Sequence, residues 1–168
     1  NDTEAMRRAM QNVDIVINTS GPFYRFGVPI LQAAINEGCN YLDICDDWEP
    51  TIKMLELDQL AKTAGVTAIV GLGASPGISN MLALLAMQEL DKVFSVFTGW
   101  DLGGAKPEEE TSQEGLNAAM VHGIEQMTGK VQIYRDGAAE FVRPLAPVPV
   151  HYPGISTFKG YILSLIHI

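Results

Sequence analysis

Basic charge is scarce in this sequence: 11 Lys plus Arg stand against 20 Asp plus Glu, for a net charge of −9. A surface of that sign repels phosphate backbones and anionic lipid, and no basic stripe with interleaved aromatics interrupts it, so nucleic acid is not an expected partner. Long hydrophobic runs are missing too. The longest purely apolar stretch, Met81 to Met87, stops far short of the ~20 residues that a membrane span needs, and the first residues show no basic-then-apolar leader. Cysteine is limited to Cys39 and Cys45. They lie too close together to frame a disulfide scaffold and have no Cys or His neighbours at ligand spacing, which implies reduced thiols and no metal site. These absences point to a cytoplasmic protein that engages neither membrane nor nucleic acid.

A core, by contrast, is well provided. Hydrophobic residues make up 47% of 168 positions, enough for a packed domain on the usual scale of ~150 residues. The first part of the chain alternates helix and strand signals. An amphipathic helix is expected over Thr3–Asn12, with Ala5, Met6, Ala9 and Met10 on one face, and a strand over Val13–Asn18, apolar on both faces as buried parallel strands are. The turn Thr19-Ser20-Gly21-Pro22 follows. Pro29 in a first helical turn, the Ile30, Leu31, Ala34, Ile35 face and Gly38 past the end predict a second helix. A strand over Tyr41–Cys45 leads to Asp46 and Asp47, which offer cap chemistry for a helix from Pro50 to Ala64 closed by Gly65. Val66–Val70 is the third strand; it enters the glycine-rich turn Gly71–Gly77 and an apolar helix from Ile78 to Leu90. Strands and helices in this order predict right-handed parallel crossovers, and so an α/β fold.

After Asp91 the pattern changes. Lys92–Asp101 alternates as a half-exposed strand would, Gly103–Glu110 is an acidic loop, and Glu114–Met127 has helical periodicity. Val131–Phe141 is expected to fold back about Asp136-Gly137, a two-residue hairpin turn, while the prolines between Pro144 and Pro153 forbid a central strand. The tail Phe158–Ile168 is apolar without a polar cap. This predicts two parts, residues 1–90 and residues 91–168.

In open α/β sheets ligands bind outside the carboxyl ends of the strands. Three such ends are readable: Asn18–Phe23, Asp43–Asp47 and Gly71–Asn80. Gly21 and Pro22 let the backbone pass close to a flat ring or ribose, and Asn18, Thr19 and Ser20 offer small polar groups; a plain βα turn accounts for the same residue types. Ser75–Asn80 opens a helix whose positive end suits a carboxylate, although capping alone explains it as well. Asp43, Asp46 and Asp47 crowd one strand end, where a raised pKa would let Asp43 or Asp46 shuttle a proton, against the simpler reading as solvated caps. Cys45 reads as a small buried hydrophobe, and His122, His151 and His167 have no readable acidic or metal partner.

Asp14-Ile-Val-Ile-Asn-Thr-Ser-Gly-Pro-Phe23, then Tyr41-Leu42-Asp43, then Gly73-Ala-Ser-Pro-Gly-Ile-Ser-Asn80, with Tyr134-Arg-Asp-Gly137 later, together resemble the saccharopine dehydrogenase-like family. The resemblance implies the carboxyl-terminal half of a Rossmann-like parallel sheet over residues 1–90, followed over 91–168 by part of an α+β domain with antiparallel strands that covers the site and carries oligomer contacts. It implies an NADP- or NAD-dependent oxidoreductase acting on the imine or secondary amine of an amino-acid or polyamine substrate, assembled as a homo-oligomer. Cofactor contacts are then expected from Asn18, Ser20, Gly21, Pro22, Phe23, Asp43 and Gly73, and substrate contacts from Ser75, Pro76, Gly77, Ser79 and Asn80. The family's Gly-x-Gly-x-x-Gly turn would precede Asn1, and its members continue past Ile168, so the chain reads as a piece lacking both ends, with cofactor binding weakened accordingly. A rival expectation is a non-catalytic binding or assembly module that keeps the packing.

Overall fold

Two glycines set the spacing of the first unit. Gly38 and Gly65 both take positive φ, 73° and 68°, and each ends a helix in a Schellman pattern. Cys39 N–H reaches the Ala34 carbonyl at 2.9 Å and Gly38 N–H that of Ile35 at 3.1 Å; Val66 and Gly65 repeat this on Ala61 and Lys62 at 2.9 and 3.2 Å. Each closure turns the chain directly into a strand. A computed structural model describes residues 3–99, 123–124, 127–152 and 154–162. In it the first unit runs α1 (Thr3–Met10), β1 (Ile15–Asn18), α2 (Phe23–Asn36), β2 (Asn40–Asp43), α3 (Trp48–Leu55), α4 (Asp58–Ala64) and β3 (Ala68–Ile69), and ends within the first turn of α5 (Ile78–Gln88).

The three strands lie in the order β1-β2-β3 and are parallel throughout. Ile15 pairs with Asn40, Asn18 with Asp43, and Leu42 with Ile69, so the carboxyl ends share one edge. This is the Rossmann-like arrangement expected, and monotonic order is what successive crossovers of one hand produce. Helix α2 packs on β1 and β2 and gathers α1, α3 and α4 around it. Leu31, Ala34, Ile35, Cys39, Tyr41, Cys45 and Met54 form the core there. The opposite face is different: Ile15, Ile17 and Ile69 are 49%, 62% and 45% exposed, although a parallel sheet ordinarily has both faces covered.

Several boundaries depart from the periodicity. Helix α2 begins at Phe23, with extended Pro22 (φ −80°, ψ 141°) as its N-cap, so Pro29 lies inside the helix rather than in its first turn. The Pro22 carbonyl accepts Arg25 and Phe26 N–H at 3.1 and 3.2 Å, and Phe23, Gly27 and Leu31 extend the buried stripe backwards along the helix. The helix expected from Pro50 to Ala64 is two helices, broken where Leu57 takes φ −82°, ψ 2°. No glycine or proline marks that break. Asp47 does occupy the N-cap of α3, but its side chain makes no capping bond.

A second unit begins after Met81. Its described strands are β4 (Val131–Arg135), β5 (Ala138–Val142), β6 (Pro147–Tyr152) and β7 (Ser156–Tyr161), paired antiparallel as β4-β5 and β6-β7. Asp136 and Gly137 take φ of 52° and 80°, the left-handed pair that a two-residue hairpin requires. Pro147 and Pro149 do sit within a strand, but in a two-stranded ribbon every strand is an edge, where proline is tolerated. The strand expected over Lys92–Asp101 is not formed over its described residues 92–99. Alternation alone makes no strand without a neighbour to take its backbone bonds, and Phe94 is 85% exposed. The acidic loop and most of the helix expected at Glu114–Met127 lie outside the described residues, as do residues 163–168 of the tail.

Leu31 is 1% exposed at the centre of the first unit. Leu31→Ala is expected to cost about 2–5 kcal/mol of stability, read from urea denaturation; a loss well under that range would mean that the α2 face closes over the cavity.

Candidate functional site

The carboxyl edge of the sheet is built around polar side chains that point into the core. Asn18 ends β1, and Tyr41 and Asp43 lie on the same face of β2; they are 3%, 1% and 0% exposed. Groups so buried must find partners or destabilise the fold by a kilocalorie or more each. They find them in one another. Asn18 Nδ2 donates to Tyr41 Oη at 3.0 Å, and Tyr41 donates to Asp43 Oδ2 at 2.9 Å. The other carboxylate oxygen, Oδ1, accepts Gly71 N–H at 2.8 Å and Cys45 N–H at 3.0 Å. Asn18 Oδ1 accepts both the backbone N–H and the hydroxyl of Ser20, at 3.0 and 2.9 Å, forming an Asx turn that opens the Asn18–Phe23 segment.

In that segment Ser20 and Gly21 are exposed, Pro22 is half-buried and the Phe23 ring is buried. A side chain on Gly21 would meet no atom within 4 Å, and Gly21 is not among the residues with positive φ. The fold itself does not demand a glycine here.

The third strand end is the reverse case. Gly71 has φ 72°, and a Cβ there would come within 3.1 Å of Pro76 Cγ and 3.2 Å of the Cys45 carbonyl. At Gly77, φ is 116° and a Cβ would overlap the Gly73 carbonyl oxygen. The turn therefore closes on itself, with Ile78 N–H on the Gly73 carbonyl and Ser79 N–H on that of Ala74, both at 3.0 Å. Pro76 and Gly77 are buried beneath it, while Ser75, Ser79 and Asn80 stay half-exposed. Ser79 Oγ lies 3.0 Å from Ser75 Oγ and 3.1 Å from Asn80 Oδ1. Leu72 N–H on the Asp43 carbonyl at 2.8 Å ties this turn to β2.

The two carboxylates singled out from the sequence are thus in different settings. Asp43 is enclosed and accepts from three donors; Asp46, on the half-buried loop before α3, retains solvent access. Cys45 sits beneath that loop with Thr51 Oγ1 3.5 Å from its sulfur, and Thr51 in turn donates to the Asp47 carbonyl at 2.8 Å. Burial pushes the Cys45 thiol up to about 12. Burial also raises the Tyr41 phenol well above its ordinary value, with the charge of Asp43 adding and the Asn18 bond opposing. His151 is on the exposed β6-β7 ribbon, with Nδ1 2.9 Å from Thr157 Oγ1; His122 and His167 lie outside the described residues. No three His, Cys, Asp or Glu side chains gather as metal ligands among the described residues.

A surface hollow of about 570 Å³ lies at the opposite edge, at the amino end of β1, lined by Met10, Gln11, Asn12, Val13, Asp14 and Glu37. Neither a helix amino terminus nor the polar cluster faces it, so the carboxyl edge remains the better candidate. Sequence reasoning missed Tyr41 as a member of that cluster. A signal was available: Tyr41 and Asp43 stand two apart on one strand, hence on one face.

Comparison with known proteins agrees with the Rossmann-like parallel sheet. Residues 1–69 match the model of the saccharopine dehydrogenase NADP binding domain. Over 92 residues, 55% of the chain, the sequence is 28% identical to the saccharopine dehydrogenase [NADP(+), L-glutamate-forming] of Schizosaccharomyces pombe; the match spans 19% of that protein's length. Both findings support an oxidoreductase family. No helix among the described residues is long and apolar enough to cross a membrane.

Cys45 and Tyr41 bind their protons more tightly folded than unfolded. The stability this contributes is whole below their ordinary values of 9.0 and 10.0, and it is lost as pH rises; for Cys45 the window closes at about 12. Urea midpoints are expected to fall on going from about pH 8 to about pH 11, and Cys45→Ala to flatten part of that decline. A flat profile would count against the enclosure of these two groups.

Proposed function

We propose that this chain is part of an NADP- or NAD-dependent oxidoreductase that acts on the imine or secondary amine of an amino-acid or polyamine substrate, with the carboxyl edge of the parallel sheet as its site. The NADP-binding domain matched by residues 1–69 supports this reading. The observation that carries it is Gly21, a glycine at an exposed strand end where neither backbone angle nor crowding calls for one. Close approach of a flat ring or ribose is what would require it.

In this reading Asn18, Ser20, Gly21, Pro22 and Phe23 line the cofactor's path, with Phe23 anchoring the turn by its buried ring. Asp43 and Gly73 complete the cofactor side by holding the strand end and the following turn together. Ser75, Ser79 and Asn80 present polar groups to the substrate at the amino end of α5, and Pro76 and Gly77 give that turn its shape. When bound, the nicotinamide supplies or accepts hydride. The amine proton falls to Asp46, which reaches solvent, whereas Asp43 serves the fold. Residues 1–90 form the partial dinucleotide-binding domain and residues 91–168 part of the substrate and oligomerisation domain, in a cytoplasmic enzyme.

A second reading, a non-catalytic assembly module, is favoured by the open sheet face of Ile15, Ile17 and Ile69. That face also supports a homo-oligomer, since burying each such side chain contributes ~1.5–3 kcal/mol. Light scattering is expected to give a particle larger than one chain; a monodisperse monomer with a cooperative melt would rule out self-association through this face.

Fluorescence titration with NADPH and NADH, against this chain and a version extended at both ends, separates the two readings. The enzyme reading expects saturable binding, tighter in the extended version, and the assembly reading expects none. Gly21→Val should weaken nucleotide binding by about tenfold while changing stability by no more than about 0.5 kcal/mol, as open surface positions do. A large fall in melting temperature with unchanged affinity would make the turn structural only.

A further inference from the structure

We propose that Tyr41 is a positioning residue that holds the Asn18–Phe23 turn and the Gly71–Gly77 turn in one register. Its consequence for ligands rests on the functional reading above; the positioning itself does not.

The argument is one of hydrogen-bond polarity. A carboxylate can only accept, so the single proton of the Tyr41 hydroxyl must point at Asp43 Oδ2, 2.9 Å away. The hydroxyl oxygen is then left as an acceptor, and Asn18 must turn its NH2 towards it, at 3.0 Å. That choice in turn leaves Asn18 Oδ1, not the amide nitrogen, facing the backbone N–H of Ser20 at 3.0 Å. The Asx turn exists only in this orientation of the amide. At the far end of the same chain, the second oxygen of Asp43 takes Gly71 N–H at 2.8 Å. Donation therefore runs in one direction from the first turn through Tyr41 and ends on Asp43, which also accepts from the third strand end. Tyr41 is 1% exposed, so it touches no ligand; its phenol stays protonated because burial disfavours the anion.

Two substitutions test this in the whole chain, without nucleotide. Tyr41→Phe keeps the ring and removes the relay. Asp43→Asn keeps the shape and reverses the polarity: its amide would donate to Tyr41 Oη, the phenol proton would turn to Asn18 Oδ1, and Ser20 N–H would face a donor. Amide hydrogen exchange, followed by NMR, is the readout. Tyr41→Phe should speed exchange at both Ser20 and Gly71 by roughly tenfold relative to Leu31. Asp43→Asn should speed Ser20, three hydrogen bonds away, more than Gly71, which keeps an oxygen to donate to. Unchanged Ser20 exchange in either folded variant overturns the proposal. If Tyr41→Phe does not fold, Asp43→Asn alone decides it. Failure of the unaltered chain to bind NADPH would count against the functional reading and leave this result standing.

Discussion

Asp43 has no access to water, and yet it holds a carboxylate at the point where three strands end. A buried carboxylate is tolerable only when donors replace its hydration. Here they come from three places in the sequence: the Tyr41 hydroxyl on its own strand, Cys45 N–H on the loop beyond it, and Gly71 N–H at the end of the third strand. Its backbone carbonyl adds Leu72 N–H. The turn at residues 71–77 is thus bound to β2 at two successive residues, and β1 is bound to β2 through Asn18 and Tyr41.

From that constraint the shape of the edge follows. Gly71 lets the turn lie against the Cys45 carbonyl just past β2, and Gly77 lets it close on Gly73; at both positions added bulk would strike backbone or proline. Gly21 answers to no such internal demand. One glycine turn is closed by the protein's own packing, and the other is open to whatever approaches it. Such an asymmetry is what a site needs, a rigid wall beside an accessible one.

The open sheet face poses a separate constraint. Ile15, Ile17 and Ile69 are apolar as buried parallel strands require, yet α1, α3 and α4 gather about α2 on the other face. A sequence pattern apolar on both faces therefore anticipates more cover than the described residues provide.

Much of this was legible in the chain itself. Strand and helix alternation, Gly38 and Gly65 as helix stops, and Asp136-Gly137 as a hairpin turn are local signals, because a positive φ or a burial period is decided within a few residues. Parallel pairing followed from the alternation of strands and helices. Other features were not local. The start of α2 at Phe23 and the break at Leu57 answer to packing around α2. The alternation at Lys92–Asp101 made no strand over its described residues, because a strand exists only with a partner. Asp43 could be seen in the sequence as an acidic residue at a strand end, but its role is set by Gly71, 28 positions away. The sequence by itself determined the alternation of strands and helices in the first unit and the glycine turns that end them, since those depend on near neighbours. Only the tertiary structure decided which polar groups meet, since a buried hydrogen bond is specified by distance in space and by who must donate.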